Sequence, residues 1–336
     1  MLNSRYSRQT ALPFVGEQGQ ARLGSARVGV LGCGALGTVV AELLTRGGVG
    51  YLRIIDRDVV ELSNLQRQTL FTEHDAEQRL PKAMAAMQRL GEINSEVRVE
   101  AVVSDYVWHN ALSLLSELDL VVDATDNYLT RLTLNDACLE LGIPWVYGGA
   151  AGSVGMSANF LPQGPCFRCL VRDLPALGVG ESCDVSGVFG PLTVVVGAVQ
   201  AAEAMKLIIS LAIGRSDLVE VDLLKGVFRT LSLQKDNSCP ACEYGMRDFL
   251  SPEHHQSATV VCGRDSVLLQ QNLADLDLFV TAKRLEARGH SVRVNKFRLQ
   301  LEFFGIELIL FGDGRALING TNDTSLAKRV YNELLG

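Results

Sequence analysis

Asn64, Gln66, Arg67 and Gln68 fall within five residues, in DVVELSNLQRQTLF, directly after the apolar run YLRIID. An ordinary connection past a strand carries Gly, Ser or Pro. Amides beside a guanidinium suit the binding of a polyanion instead. Lys82 follows in the same connection, and DATDN supplies Asp123, Asp126 and Asn127 after another apolar run. Upstream, Gly32, Gly34 and Gly37 form G-x-G-x-x-G, with Ala35 inside it. Such glycines permit a tight turn and let a phosphate approach backbone N–H groups at a helix N-terminus. Asp56 lies nineteen residues after Gly37, where a carboxylate can bind both ribose hydroxyls. Two cations, Arg67 and Lys82, suit a triphosphate, which a nicotinamide dinucleotide lacks. Asp126 is placed to hold Mg2+, which prefers one or two carboxylates plus phosphate oxygens. The set fits nucleotidyl transfer better than hydride transfer; an NAD-dependent oxidoreductase is the alternative. Asp123 reads as structural, bonding loop amides.

Four cysteines form two C-x-x-C pairs, Cys166 with Cys169 and Cys239 with Cys242. In a cytosolic chain this pattern predicts a tetrahedral Zn2+ site, with redox-active pairs as the alternative. Four thiolates leave no open coordination position, so the expected role is structural. The long spacer between the pairs suits a clip joining distant parts of one domain. Cys33, Cys138 and Cys262 sit in apolar surroundings and read as packing residues.

These residues need a scaffold, and the pattern supplies one. Strand-like ARVGVL, YLRIID, VRVEAVV, DLVVDAT and IPWVYGGA alternate with helical stretches such as PKAMAAMQRLGEIN. That rhythm predicts an α/β, Rossmann-like, mostly parallel sheet with helices on both faces. After Ala150, GSVGMSANFLP and VEVDLLKGVFRTLSL read as added antiparallel strands. The expected domains are 1–250, a linker over 251–258 (SPEHHQSA), and a small α+β module over 259–336 with a hairpin turn at Asp313-Gly314. Apolar residues make up 47% of the 336, and 31 basic residues face 38 acidic ones. This balance argues against a nucleic-acid or membrane-surface binder. The longest apolar run, VVVGAVQAAEAMKLIISLAIG, contains Glu203 and Lys206, so a buried helix is expected rather than a membrane span. The polar N-terminus predicts no signal peptide and a cytoplasmic protein.

With RYSRQ (5–9), GCGALG (32–37), DRDVVELSNLQRQ (56–68), PK (81–82), DATDN (123–127), PCFRC (165–169) and CPAC (239–242), the chain resembles the ubiquitin-activating-enzyme-like adenylyltransferases of the ThiF, MoeB and HesA group. The resemblance covers about residues 4–245. It implies that a ubiquitin-like sulfur-carrier protein, ThiS- or MoaD-like, presents a C-terminal Gly-Gly carboxylate to the α-phosphate of MgATP. The acyl-adenylate and pyrophosphate result, and a sulfur donor such as a cysteine desulfurase or persulfide carrier then yields the thiocarboxylate. Thiamine or molybdenum-cofactor synthesis is the implied pathway, with a tilt to the thiamine carrier.

The resemblance also implies roles. Asp58, Ser63 and Asn64 lie beside the ribose and phosphates, Arg67 and Lys82 neutralise the triphosphate, and Gln68 orients its neighbours. Arg8 reaches the partner subunit's ATP site, which makes a homodimer the working unit. Cys183 stands where relatives carry a cysteine that forms a covalent carrier intermediate in some and is dispensable in others. Ala35 departs from relatives with another Gly. No rhodanese domain follows, so sulfur is expected from a separate protein. The module over 259–336 looks like an extension on some bacterial members and carries no assigned chemistry. A non-catalytic scaffold for a ubiquitin-fold protein is a further alternative, against which Arg67, Lys82 and Asp126 speak.

Overall fold

In the strand β4 (Leu120–Asp123) all four side chains are buried, yet neighbours point opposite ways. Leu120 and Val122 enter one apolar core, Val121 another. A strand of this kind must be covered on both faces. The computed structural model shows those covers. It describes residues 4–171, 187–209, 217–254, 258–260, 265–269, 276–312 and 314–335. The chain divides into two compact units, with the division near Pro252.

The first unit holds β1 (Arg27–Leu31), β2 (Tyr51–Ile55), β3 (Arg98–Val102), β4, β5 (Trp145–Ala151), β6 (Val154–Phe160), β7 (Asp217–Asp222) and β8 (Val227–Ser232). They form one sheet in the order β3-β2-β1-β4-β5-β6-β7-β8. The pairs from β3 to β5 are parallel; β6, β7 and β8 add antiparallel. Helices α1 (Ser7–Thr10) and α2 (Gly16–Ser25) precede β1, and α3 (Ala35–Gly47) follows it. Next come α4 (Glu73–Glu77), α5 (Lys82–Ile93), α6 (Ala111–Leu115), α7 (Tyr128–Leu141), the single turn α8 (Phe167–Leu170) and α9 (Gly190–Ile208). Leu23, Leu44 and Ala204, from α2, α3 and α9, cover one face, while Leu115 and Leu132, from α6 and α7, cover the other. The expected parallel core with helices on both faces and antiparallel additions is therefore what the chain builds.

By length and composition alone α9 would suffice to cross a membrane. Here it packs on α3 and on β4, β5 and β6. A Cβ at Gly197 would come within 2.8 Å of Val39 Cβ, so glycine lets α9 lie close against α3. Glu203 accepts a 2.7 Å hydrogen bond from Asn159 of β6.

In the second unit, β9 (Ala258–Val260), β10 (Ser266–Leu269), β11 (Val292–Val294), β12 (Arg298–Phe303), β13 (Ile306–Phe311) and β14 (Ala316–Asn319) form an antiparallel sheet in the order β11-β12-β13-β14-β10-β9. Its helices are α10 (Leu278–Ala287) and α11 (Thr324–Leu335). Alternate residues of the strands, such as Leu299, Leu301, Leu308 and Leu310, share a core with Leu285 and Val330 of these helices. Gly314 has a φ of +82° between β13 and β14, as a tight hairpin requires; Asp313 lies outside the described residues. In the segment expected as a linker, Pro252–His254 form one 3-10 turn and Ala258 opens β9.

Candidate functional site

Backbone pairing continues one step past the strand ends and lines up the exits of β1, β2 and β4. Gly32 N–H donates to the Ile55 carbonyl at 2.8 Å, Asp56 N–H to Val102 at 3.1 Å, and Ala124 N–H to Leu31 at 2.8 Å. The three glycines divide the labour at this row. Gly32 has a φ of +87°, and a Cβ there would meet the Ala124 carbonyl oxygen at 2.7 Å. A Cβ at Gly37 would lie 2.0 Å from the Gly32 carbonyl oxygen, so the turn closes only on glycine. At Gly34 the nearest heavy atom to such a Cβ would be Gln68 Nε2 at 3.8 Å. This is the glycine that a ligand can approach, and Ala35 opens α3 beside it.

Asp56 is turned into this loop. Its Oδ2 accepts the Cys33 N–H at 2.6 Å and its Oδ1 the Asp58 N–H at 2.7 Å. Burial pushes the Asp56 carboxyl up, and the nearby Lys82 ammonium pulls it down. Lys82, at the start of α5, is buried and donates to Asp58 Oδ2 at 3.0 Å. Burial works against its charge, but Asp58 and Asp56 outweigh that and hold the ammonium above its usual range. Burial also raises the Cys33 thiol far above its ordinary value, so it stays protonated and inert.

The stretch 61–68 is a tight hook. Asn64 is buried; its Oδ1 accepts the Glu61 N–H at 3.0 Å in a reciprocal capping arrangement. Arg67 donates to the Ser63 carbonyl at 3.1 Å, which folds its side chain back along the hook. Gln68 is 4% exposed, and its Oε1 has no hydrogen-bond partner among the described residues. A buried acceptor without a donor costs about 1–3 kcal/mol, and this one belongs to the side chain that approaches Gly34.

Asp126 is exposed at the end of β4, and no hydrogen bond to its carboxylate is seen among the described residues. Asn127 caps α7, its Oδ1 accepting the Thr130 N–H at 2.8 Å. The loop carrying both is fastened by Arg131, which sequence reasoning missed. Arg131 Nε donates to the buried Asp123 at 3.2 Å, and Nη2 donates to the Thr125 and Gly148 carbonyls. Asp123 also accepts from the Thr125 N–H and hydroxyl, as expected for a structural carboxylate. An arginine four places into a helix looks solvated in a sequence. The signal lay in the pairing of its register with the last residue of the preceding strand.

Two of the expected groups lie apart. Arg8 is exposed on α1, while its neighbours fasten the arm down. Tyr6 accepts from Asn94 Nδ2 at 2.8 Å, Gln9 donates to the Gly47 carbonyl at 2.9 Å, and Arg5 to Ile93 at 3.1 Å. Those anchors sit at the far ends of α3 and α5 from the glycine loop. The thirteen residues of α3 span about 20 Å, so Arg8 does not serve the site of its own chain. The four cysteines converge separately. Their sulfurs lie within 4.8 Å of one another, with 3.6 Å between Cys166 and Cys239 and 3.5 Å between Cys169 and Cys242. Four sulfurs placed tetrahedrally about a zinc at about 2.3 Å stand about 3.8 Å apart, so the cluster can hold a metal ion. Asp236 N–H donates to Cys169 Sγ at 3.5 Å. Cys183 and Cys262 lie outside the described residues.

A profile of the ThiF family matches residues 6–241. The chain belongs to the ThiF family. The sulfur carrier protein ThiS adenylyltransferase of Bacillus subtilis (strain 168) is 41% identical over 342 residues, covering 100% of both proteins. The sulfur carrier protein adenylyltransferase of Thermus thermophilus is 43% identical over 247 residues, 71% of this chain and 90% of that protein. Among solved structures, E. coli MccB with MccA-N7isoASN superposes with a TM-score of 0.63 over 72% of this chain and 75% of that one. At 23% identity the likeness to MccB is one of fold. Membership in an adenylyltransferase family implies use of ATP.

Removing one partner of the buried Asp123–Arg131 pair leaves a charge without compensation, at a cost of about 3–5 kcal/mol. Arg131→Ala is therefore expected to lower the urea midpoint strongly. Asp123→Asn in the same chain should recover part of the loss, and a double-mutant cycle read by urea denaturation checks this.

Proposed function

We propose that this protein activates the C-terminal carboxylate of a ThiS-like sulfur carrier as an acyl-adenylate, using MgATP. The observation that carries the reading is the full-length match to a ThiS adenylyltransferase; Asp56 bonded to the glycine loop at Cys33 N–H, with the Lys82 ammonium nearby, supports it. Bringing a carboxylate to a triphosphate is repulsive, so the site must supply positive charge and position more than an acid or base. Gly34 admits the phosphates and Asp56 takes the ribose. The Gln68 Oε1, otherwise unpartnered, is suited to accept from a nucleotide N–H or hydroxyl. Asn64 holds the hook and Asn127 the helix end, so both act by shaping the wall. Ser63 offers its carbonyl to Arg67, and Asp58 keeps Lys82 charged until phosphate arrives. Arg67 and Lys82 then meet the phosphates. Asp126 would hold Mg2+ with phosphate oxygens, which would neutralise part of their charge.

Arg8, outward on a fastened arm, is read as completing the site of a partner subunit in a homodimer. The cysteine cluster is read as structural Zn2+. Sulfur would come from a separate donor, such as a cysteine desulfurase or persulfide carrier, in the cytoplasm. Cys183 as a covalent carrier site is part of the same reading. The domains are read as an adenylation domain over 1–250, a linker over 251–258 and a small module over 259–336. The module lies within the span shared with the Bacillus subtilis protein, which favours the thiamine carrier over the molybdenum-cofactor one.

ATP–pyrophosphate exchange with purified ThiS-like and MoaD-like carriers tests the reaction. Exchange with the ThiS-like carrier is expected; silence with every carrier, and no NADH oxidation in the control, would favour a scaffold. Lys82→Ala is expected to slow exchange by about 100-fold or more, as removal of a preorganised charge does. Arg8→Ala should do likewise without moving the melting midpoint. Mixing Arg8→Ala with Lys82→Ala and allowing subunits to exchange should restore activity, because one site of each mixed dimer is intact; a site built within one chain gives no recovery. For the cysteine cluster, metal analysis should find zinc equimolar with protein, lost in Cys239→Ser together with a large fall in thermal midpoint.

A further inference from the structure

Arg57 follows the ribose acid directly, and no step of the reaction derived above uses it. In a fold of this type the phosphates lie on the glycine loop after β1 and the ribose at the acid after β2. A base carried on that ribose and directed away from the phosphates would lie past Asp56, toward β3. β2 and β3 are still paired at that level, with Ile55 opposite Val102 and Asp56 N–H on the Val102 carbonyl. Arg57 stands at this boundary, with its side chain 35% exposed.

One edge of its guanidinium is fixed. Nη1 donates to Asp105 Oδ2 at 2.9 Å, and Nε lies 3.7 Å from Asp58 Oδ1. Asp105 is itself secured: its Oδ1 accepts the Tyr106 N–H at 3.0 Å, and its carbonyl accepts from Asn110 Nδ2 at 2.8 Å. Asn110 in turn takes the Val107 N–H at 2.9 Å, closing the loop after β3 into a rigid turn. Bonds in the plane hold an arginine by its rim and leave its two flat faces for contact. A planar, delocalised and weakly hydrated cation of this kind stacks well on an aromatic ring. Its charge is already answered by Asp105 and Asp58.

We propose that Arg57 is a specificity-determining residue of the nucleotide site, its guanidinium stacking on the purine base while Asp105 keeps the plane in register. This rests on the reading that ATP binds at the strand ends. The site then reads base, ribose and phosphate with different chemistry in one line: Arg57 by a flat face, Asp56 by hydrogen bonds, Lys82 and Arg67 by charge.

The test is equilibrium binding of MgATP, MgCTP and inorganic triphosphate to the full chain and to Arg57→Ala, Arg57→Lys and Arg57→Tyr, with melting midpoints recorded alongside. Loss of one base–side-chain stack should weaken MgATP by about 10-fold in Arg57→Ala. MgCTP, with its smaller ring, should lose less, and inorganic triphosphate nothing. Arg57→Tyr restores a flat face without charge and should recover most of the ATP affinity. Arg57→Lys restores charge without a plane and should not. The reverse pattern, rescue by lysine together with weakened triphosphate binding, overturns the proposal in favour of a phosphate contact. Unchanged ATP affinity in Arg57→Ala overturns it outright. A wild-type chain that binds no nucleotide would instead remove the functional reading beneath it.

Discussion

The buried pair between Asp123 and Arg131 is the contact on which the site depends. Asp123 ends a strand wholly inside the protein, and both its oxygens are used, one by Arg131 and one by Thr125. Burial alone would push its carboxyl toward the neutral form; Arg131 and Thr125 oppose that. The geometry does more than balance charge. The same guanidinium reaches the Thr125 carbonyl ahead of it and the Gly148 carbonyl on β5. A planar fork with fixed donor directions can bind three points at once, which a lysine cannot. Thr125 immediately precedes Asp126, so the exposed carboxylate stands on a loop whose foot is bolted to two strands. Gln200 of α9 braces the pair from the other face, its Nε2 on the Asp123 carbonyl at 2.6 Å. Gly148 is glycine because a Cβ there would fall 2.3 Å from that Gln200 side chain.

Around this fixed point the site stores its charges in pairs. Lys82 rests on Asp58, and Arg57 on Asp105. Isolated cations at this depth would be costly, because burial disfavours the charged form of lysine by whole pKa units. Carboxylates make the burial tolerable and also fix the positions of the cations. Asp58 is the exposed member of its pair, with 57% of its side chain open against 9% for Lys82. The solvent-facing side of the pair is therefore the carboxylate, and the ammonium lies beneath it.

Much of this was legible in the sequence. G-x-G-x-x-G, the acid nineteen residues on and the C-x-x-C pairs are local patterns whose geometry follows from spacing, and β strands of five apolar residues between helical stretches fix the fold class. What was not legible depends on contacts between distant segments. Arg131 looks like any helix arginine until the strand before it is seen to end in a buried acid. Asn64 and Asn127 read as ligand contacts because their types suit that task; the structure spends their side-chain oxygens on capping the hook and α7. In RYSRQ, Arg8 is the residue whose type suggests chemistry, yet Arg5, Tyr6 and Gln9 hold the arm. A Cβ at Gly48 would lie 2.6 Å from the Tyr6 ring, so the arm's seat is written in a glycine more than forty residues away.

The cysteine cluster and the nucleotide site have no side chain in common, but they share a helix. α7 is capped by Asn127, carries Arg131 as its fourth residue, and places Asn135 and Asp136 at its middle, both fully buried. Asn135 Oδ1 accepts the N–H of Phe167, between the first two cysteines, at 2.8 Å. Asp136 accepts the N–H of Phe249, just beyond the second pair, at 3.1 Å. Arg168 and Asp248 close the same junction at 2.9 Å, with the Arg168 guanidinium over the Phe249 ring. A buried amide and carboxylate on a helix are expensive unless every partner is in place; Asn135 also donates to Asp136 at 3.1 Å, and each residue takes its remaining partner from one cysteine segment. The cysteine cluster thus gathers two remote stretches of chain onto the helix whose first turn follows Asp126. A candidate metal site and a candidate nucleotide site are thereby joined through a single helix, α7.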